Sequence, residues 1–389
     1  MKHQSSKPRI GVMAGEFRED RIPPFGETRF YESLCAAGHS CGAEVYVFSP
    51  LDADEAGMTV TGYGWSPGGG WKKRSYPLPD LIYDRAFFSS KEAYQAHRQA
   101  LRRLGSLKQA PYLGFGLKSK WEMLHFLRRD PALRPYLPQT AKVAAPEDAA
   151  RWLSREQRIF LKPASGSQGK GTVMAEQAEE GGCWRVRARD SANQPIALEF
   201  RREAEFVQWL GGFMGRRAYL MQPYLELAAP SGEAWDIRAL VQKNGRGLWE
   251  LTGMGARVGA SGSITSNLHG GGSAVEVDEW LERQFGAARS AEILRTLRML
   301  AKRIPAALEA CNGRMAELGL DLGVDREGRV WIIEANTKPG RSIFRKLGQE
   351  KLLLQAERNP IAYACYILTR TSLRPDGRQA RAKPLICLP

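Results

Sequence analysis

Apolar and polar positions change their period several times along the chain, and the changes mark out its elements. Short apolar runs at residues 9–13, 45–49 and 81–84 read as strands, with a helical stretch over 28–37 between the first two. Strands alternating with helices predict a small α/β domain on a largely parallel sheet. Residues 61–79, rich in Gly and Pro and containing Gly68, Gly69 and Gly70, read as an ordered loop or hairpin rather than a linker. Residues 91–104 have helical periodicity and stop at Gly105.

A second unit starts near Gly116. Ser119 is placed to cap a helix over 120–129, in which Trp121, Leu124 and Leu127 share a face. Residues 137–140 lead into a strand, and 145–148 open a short helix. From residue 158 the pattern turns β-rich, with strands expected at 159–162, 171–175, 184–188, 218–222, 235–243 and 248–258. Helices interrupt it at about 202–213 and 279–318. Two last strands, 318–324 and 329–336, are joined by the four residues 325–328 as a hairpin, and 341–369 reads as helix.

Composition narrows the class. At ~150 residues per domain, 389 residues make two to three domains. With 43% hydrophobic and 25% charged residues, the chain is globular rather than collagen-like, low-complexity or a disulfide scaffold. It has no run of the ~20 apolar residues that a membrane span needs, and no signal-peptide core near Met1, so a cytoplasmic protein is expected. The six cysteines (Cys35, Cys41, Cys183, Cys311, Cys365, Cys387) form no C-x-x-C pair and read as scattered thiols.

Net charge is +15, and residues 341–389 hold ten Lys/Arg against three Asp/Glu. Such a balance suits any polyanion. The tail lacks the aromatic interleaving of single-strand binders, and no zinc-finger, RRM or basic-zipper pattern occurs, so nucleic acid is not the expected partner.

Three constellations carry chemistry. In the first, a strand ending in Lys162 runs into Ser165, Gly166, Ser167, Gln168, Gly169, Lys170 and Gly171. Glycines allow close backbone approach, so successive N–H groups can point at phosphate oxygens beside a lysine charge. The spacing is not that of a Walker A loop or of G-x-G-x-x-G, and a plain hairpin turn is the competing reading.

The second is the hairpin carrying Asp321, Glu334 and Asn336. Alternation puts Ile332, Glu334 and Asn336 on one face. A four-residue turn sets Val324 opposite Arg329 and Asp321 opposite Ile332, diagonal to Glu334. Two carboxylates and an amide oxygen in apolar strands repel one another unless a hard cation such as Mg2+ gathers them; polar residues on a solvated edge are the alternative.

In the third, Asp236 and Arg238 share a strand face, Arg257 ends its partner strand, and a segment with Asn267, His269 and Gly270 to Gly272 follows. Two guanidiniums there can bracket a transferring phosphoryl group. The His-Gly-Gly-Gly run evokes an esterase oxyanion loop, but no G-x-S-x-G elbow exists to use it. A fourth segment, Gln222-Pro223-Tyr224-Leu225-Glu226, reads as a Pro-stiffened hinge at a strand end.

Taken in order over residues 116–341, these elements resemble an ATP-grasp ligase. "LPQT", "KPASGSQGKG", "LGLDLGVD", "WIIEANTKPGR" and the N-terminal "PDLIYDR" most resemble the YheC/YheD group of endospore coat-associated proteins. The resemblance implies an α/β chain, α+β in its ATP-binding part, with an ATP-grasp fold preceded by a small parallel-sheet domain. The divisions expected are 1–115 for that domain, 116–225 for the central and lid part, 226–345 for the metal-binding part and 346–389 for a basic helical extension.

It implies Lys120 and Lys162 on ATP phosphates, Ser165, Gly166, Ser167, Gln168, Gly169, Lys170 and Gly171 as a lid, and Gln222, Tyr224 and Glu226 on adenosine. Asn267 joins the nucleotide set, Asp321, Glu334 and Asn336 take Mg2+ (with Mn2+ as an alternative), and Arg238 and Arg257 are catalytic. The reaction implied is activation of a small-molecule or peptide carboxylate as acyl phosphate, followed by amine attack, with spore coat proteins as further partners. The alternative is a nucleotide-binding structural component of the spore coat that turns nothing over.

Overall fold

The computed structural model describes residues 7–18, 20–166, 169–178, 183–259 and 272–372. Ser167, Gln168, Asn267, His269 and the tail beyond 372 lie outside the described residues.

The first layer contains β1 (Arg9–Met13), α1 (Thr28–Ser40), β2 (Glu44–Asp54), β3 (Thr59–Ser66), β4 (Gly70–Pro77), β5 (Leu81–Asp84) and α2 (Lys91–Leu107). Its sheet has the order β4-β3-β2-β1-β5, with β1 parallel to β2 and β5. The stretch expected as a loop or hairpin is the antiparallel β3–β4 pair, Trp65 facing Trp71. Period-two alternation decides the two faces: Val45 and Val47 pack with Phe30 and Leu34 of α1, while Tyr46 and Phe48 pack with Leu104 of α2.

The second layer contains α3 (Lys120–Leu127), β6 (Ala141–Val143), α4 (Glu147–Glu156), β7 (Arg158–Pro163), β8 (Val173–Gln177), β9 (Trp184–Arg189), β10 (Pro195–Phe200), α5 (Glu203–Met214) and β11 (Tyr219–Pro223). The sheet, ordered β10-β9-β8-β7-β11-β6, is antiparallel. Strand β10 escaped the sequence reading although Ile196, Leu198 and Phe200 alternate along it; its residues are half-exposed or exposed throughout. Ile159 and Leu161 of β7 turn into a core with Leu153 of α4 and with Phe206 and Leu210 of α5. The same alternation leaves Phe160 and Lys162 on the opposite face, where the cleft lies.

The third layer contains β12 (Trp235–Lys243), β13 (Trp249–Val258), β14 (Ser273–Val275), α6 (Val277–Asn312), β15 (Glu317–Val324), β16 (Val330–Asn336), α7 (Ser342–Lys346) and α8 (Glu350–Ser372). Its antiparallel order is β14-β13-β12-β15-β16. Ile237, Ala239 and Val241 of β12 and Leu318, Leu320 and Leu322 of β15 face α6 through Leu297, Leu300 and Ile304. On the other face Leu240 meets Ile343, Phe344 and Ala356 of α7 and α8. Helix α7 lies close because β13 carries glycine there: a Cβ on Gly255 would stand 2.7 Å from the Ile343 side chain.

Two expectations change. The long helix ends at Asn312, because Gly313, at φ 84, caps it before β15. The final helix is two helices, separated near Gly348 at φ 66. Helix α8 then crosses to the first layer, where Ile361, Ala364 and Ile367 join the core of α1.

The first and third sheets meet on a buried polar hub. Glu317 accepts from Tyr83 Oη (2.5 Å), Arg85 Nη1 (3.3 Å), Arg341 Nη2 (2.6 Å) and Gln242 Nε2 (3.0 Å). Both arginines also donate to the Pro339 carbonyl, so the hub holds the turn that follows β16.

Candidate active site

The second and third layers enclose a cleft of about 190 Å3, open to solvent on one side. Part of its lining is apolar, with Phe160, Leu225, Leu227, Ala228, Trp235 and Ile333, and part is charged. Lys120, Lys162, Lys170 and Arg257 line it, against Asp236, Asp321 and Glu334. An apolar slot ending in four cations and three carboxylates suits a flat heterocycle attached to a polyphosphate.

Lys120 stands at the start of α3, where Ser119 Oγ accepts from the Glu122 N–H (3.1 Å), so the cap fixes the direction of the lysine. Its ammonium lies 3.2 Å from Glu334 Oε1 and donates to the Gly166 carbonyl. Lys162, one strand away, is 3.5 Å from the Ile333 carbonyl. Burial disfavours its charged form and Lys120 repels it, while Glu334 and Asp321 favour it; the balance pushes its pKa down to about 8.

Of the glycine loop, Ser165, Gly166, Gly169 and Lys170 line the cleft. Gly166 and Gly169 have φ of 117° and 72°, the left-handed region a side chain resists. Gly171 stands behind them, its carbonyl accepting from Tyr219 Oη (2.8 Å), and Thr172 Oγ1 donates to the Gly169 carbonyl (2.8 Å).

Gln222, buried on β11 opposite Phe160, and Tyr224 line the same cleft. Glu226 does not: its carboxylate pairs with Arg158 and, at 3.2 Å, with Arg326.

The acidic end is a four-member ion chain. Arg257 pairs with both oxygens of Asp236 and reaches Asp321 Oδ1 at 3.2 Å, and Arg238 binds Asp321 through Nε–Oδ1 (2.6 Å) and Nη2–Oδ2 (3.2 Å). Burial by itself raises both carboxyl groups. At Asp321 the two guanidiniums outweigh it and hold the acid below the usual carboxylate range; at Asp236 burial prevails and the carboxyl stays above it. Arg257 lines the cleft, whereas Arg238 stands beyond Asp321.

The hairpin register corrects the expected one. Val324 faces Val330, and a bulge between Asp321 and Leu322 then sets Asp321 directly opposite Glu334 while Leu322 faces Ile332. The extra residue is Ile333. Ile332 therefore turns into the core, and Ile333 and Glu334 both line the cleft. Asn336 lines a second cavity of about 170 Å3 that shares Lys120, Ser165, Gly166 and Glu334 with the first.

Among the described residues no three His, Cys, Asp or Glu side chains gather at one point. The candidate donor set is two carboxylates and one amide. It fits a hard divalent cation, because Arg238 and Arg257 keep Asp321 ionised and phosphate oxygens complete such a shell.

A family model described as YheC/D-like ATP-grasp matches residues 109–367, well over half of the chain. The chain belongs to the YheC/D-like ATP-grasp family. It is 28% identical over 327 residues to the endospore coat-associated protein YheC of Bacillus subtilis (strain 168), covering 84% of this chain and 88% of that one. To YheD of the same strain it is 25% identical over 372 residues, covering 95% and 81%. In fold it is similar to D-cycloserine synthetase DcsG (TM-score 0.51, 12% identity, 93% of this chain and 99% of that one). The D-alanine-D-alanine ligase from Coxiella burnetii is similar too (TM-score 0.50, 15% identity, 95% and 98%).

The ATP-grasp match runs beyond the 116–341 expected from sequence motifs and takes in most of α8. Sequence reasoning missed several lining residues of this YheC/D-like chain, among them Asp236, Thr172, Ile333 and the apolar Phe160, Leu225, Leu227 and Trp235. Asp236 was visible as a carboxylate sharing a strand face with Arg238. Ile333 carries no such signal, since only the bulge turns it inward. Among the described residues no helix is long and apolar enough to cross a membrane.

Proposed function

We propose that the chain is an ATP- and Mg2+-dependent ligase that activates a carboxylate as an acyl phosphate and passes the acyl group to an amine, forming an amide. The observation that carries this reading is the cleft in which Lys120, Lys162, Gly166, Gly169, Asp321 and Glu334 all end. A pure scaffold has no use for two lysines and two carboxylates around an apolar slot.

Each side chain takes a part set by its position. Phe160 and Ile333 sandwich the base, and Gln222 and Tyr224 hold the nucleoside end; Glu226, engaged by Arg158 and Arg326, keeps the hinge in place. Lys120 and Lys162 bind phosphate oxygens, and the backbone of the glycine loop closes over them. Asp321, Glu334 and Asn336 hold Mg2+, which supplies charge neutralisation between phosphate groups. Arg257, oriented by Asp236, faces the transferred phosphoryl group, with Arg238 fixing Asp321 behind it.

The substrate carboxylate oxygen bonds to the γ-phosphorus as ADP leaves; the amine then bonds to the acyl carbon as phosphate leaves. Positioning and charge do most of this work. On this reading residues 1–115, 116–225, 226–345 and 346–389 form the preceding domain, the lid part, the metal-bearing part and the extension. The names of the two Bacillus subtilis relatives, both endospore coat-associated proteins, support association with the spore coat.

Hydroxylamine trapping tests the step. Protein, Mg-ATP and pooled small-molecule and peptide carboxylates give hydroxamate if an acyl phosphate forms. ATP binding without hydroxamate or ADP from any pool indicates a nucleotide-binding coat component instead.

A further inference from the structure

Lys120 makes two contacts that phosphate binding does not require. Its ammonium lies 3.2 Å from Glu334 Oε1 and donates to the Gly166 carbonyl, so one side chain joins the β15–β16 hairpin to the glycine loop. The Lys120 side chain is 13% exposed and that of Glu334 22%, so water screens the pair only in part.

The other carboxylate of the metal set is engaged in a different way. Both oxygens of Asp321 are taken by guanidiniums, Oδ1 by Arg238 Nε (2.6 Å) and Arg257 Nη2 (3.2 Å), Oδ2 by Arg238 Nη2 (3.2 Å). Arg238 is a planar fork held on the neighbouring strand β12, whereas Lys120 carries a point charge on a flexible stem. Glu334 is therefore the carboxylate whose counter-ion can swing away. Among the described residues that line the cleft, Lys120, Lys162, Lys170 and Arg257 outnumber Asp236, Asp321 and Glu334. A lone divalent cation meets a net positive site and must break an ion pair to reach either acid. A polyphosphate meets the opposite field.

We propose that Lys120 guards the metal site: paired with Glu334, it keeps a divalent cation out until a nucleotide arrives. Phosphate oxygens then draw the ammonium away and leave Glu334 free for the cation that accompanies them. This inference rests on the reading of Asp321 and Glu334 as metal ligands, and adds an order of binding to it. Metal enters with nucleotide and not before. Mg2+ gives up water reluctantly and is held by one or two carboxylates together with substrate phosphates, so a carboxylate already neutralised by an ammonium has little hold on it. The same exchange releases the Gly166 carbonyl, so the glycine loop and the metal site answer to one event.

Equilibrium dialysis of the full chain against Mn2+ at neutral pH, with and without saturating ADP, tests the order. Wild-type protein is expected to retain Mn2+ with ADP and to bind it at least about 10-fold more weakly without. Lys120→Met should bind Mn2+ alone at least about 10-fold more tightly than wild type, and Lys120→Arg, which keeps the charge, should not. Adding Glu334→Gln to Lys120→Met should abolish the gain, which places the ion at Glu334. Wild-type protein that binds Mn2+ equally well with and without ADP, or a gain in Lys120→Met that survives Glu334→Gln, would overturn the guard. No retention of Mn2+ by wild type even with ADP would overturn the metal reading itself, and the guard with it.

Discussion

Asp321 and Glu334 face each other across β15 and β16, one residue closer in register than an unbroken hairpin would place them. The bulge that does this also turns Ile333 inward, so the extra residue adds to the apolar wall while the acidic pair stays matched. Deleting Ile333 should therefore leave Glu334 opposite Asp321 and remove one side chain from the wall, weakening nucleotide binding about 10-fold alike in Mg2+ and in EDTA. Glu334→Ala should instead weaken Mg-ATP binding at least about 100-fold, with ATP in EDTA affected less, both read by titration calorimetry.

Lys162 ties nucleotide affinity to pH. With a pKa near 8 its ammonium is present below that pH and lost above it. Phosphate binding needs the charged form, so affinity is expected to be greatest below about pH 8 and to fall above it, with proton uptake on binding in the alkaline range. Lys162→Met should bind ATP about 10–100-fold more weakly and lose that alkaline dependence. Binding isotherms at several pH values check both statements.

The ion chain makes Arg257 a structural as well as a chemical residue. Arg257→Ala leaves Asp236 buried without its partner, and the cost is expected to be about 3–5 kcal/mol. Arg257→Ala/Asp236→Asn together should recover a large part of it, because the amide needs no counter-ion. Thermal or urea unfolding of the single and double variants measures the difference.

Glu317 offers a contrast with surface charge. It is 3% exposed and sits between Arg85 and Arg341. Glu317→Ala should cost about 3–5 kcal/mol by leaving two guanidiniums buried together. Glu279, paired with Arg283 at 2.6 Å on the surface of α6, should lose less than about 0.5 kcal/mol on truncation to Ala. Equal destabilisation of the two variants, measured by unfolding, would remove the hub from the account of how the sheets are joined.

What was legible in the sequence follows from the range of each interaction. Alternation within β7 was enough to put Lys162 opposite the core, and carboxylates inside apolar strands were enough to single out Asp321 and Glu334. The bulge was not legible, since one extra residue leaves the local pattern plausible in either register. Long-range polar contacts left no trace at all: Tyr83 reaches Glu317 across 234 positions, and nothing in either segment announces the other. Arg238 was expected beside a phosphoryl group from its strand face, yet its nearest work is to hold Asp321, which only the sheet order β12–β15 reveals.

The ligase reading is tested most directly by ADP release from purified protein with Mg-ATP, against pooled amino acids, short peptides and polyamines, beside Glu334→Ala. Release stimulated by one pool and reduced at least about 100-fold in Glu334→Ala is the expected result. Stimulated release that survives unchanged in Glu334→Ala, or ATP bound tightly with no release from any pool, would contradict it.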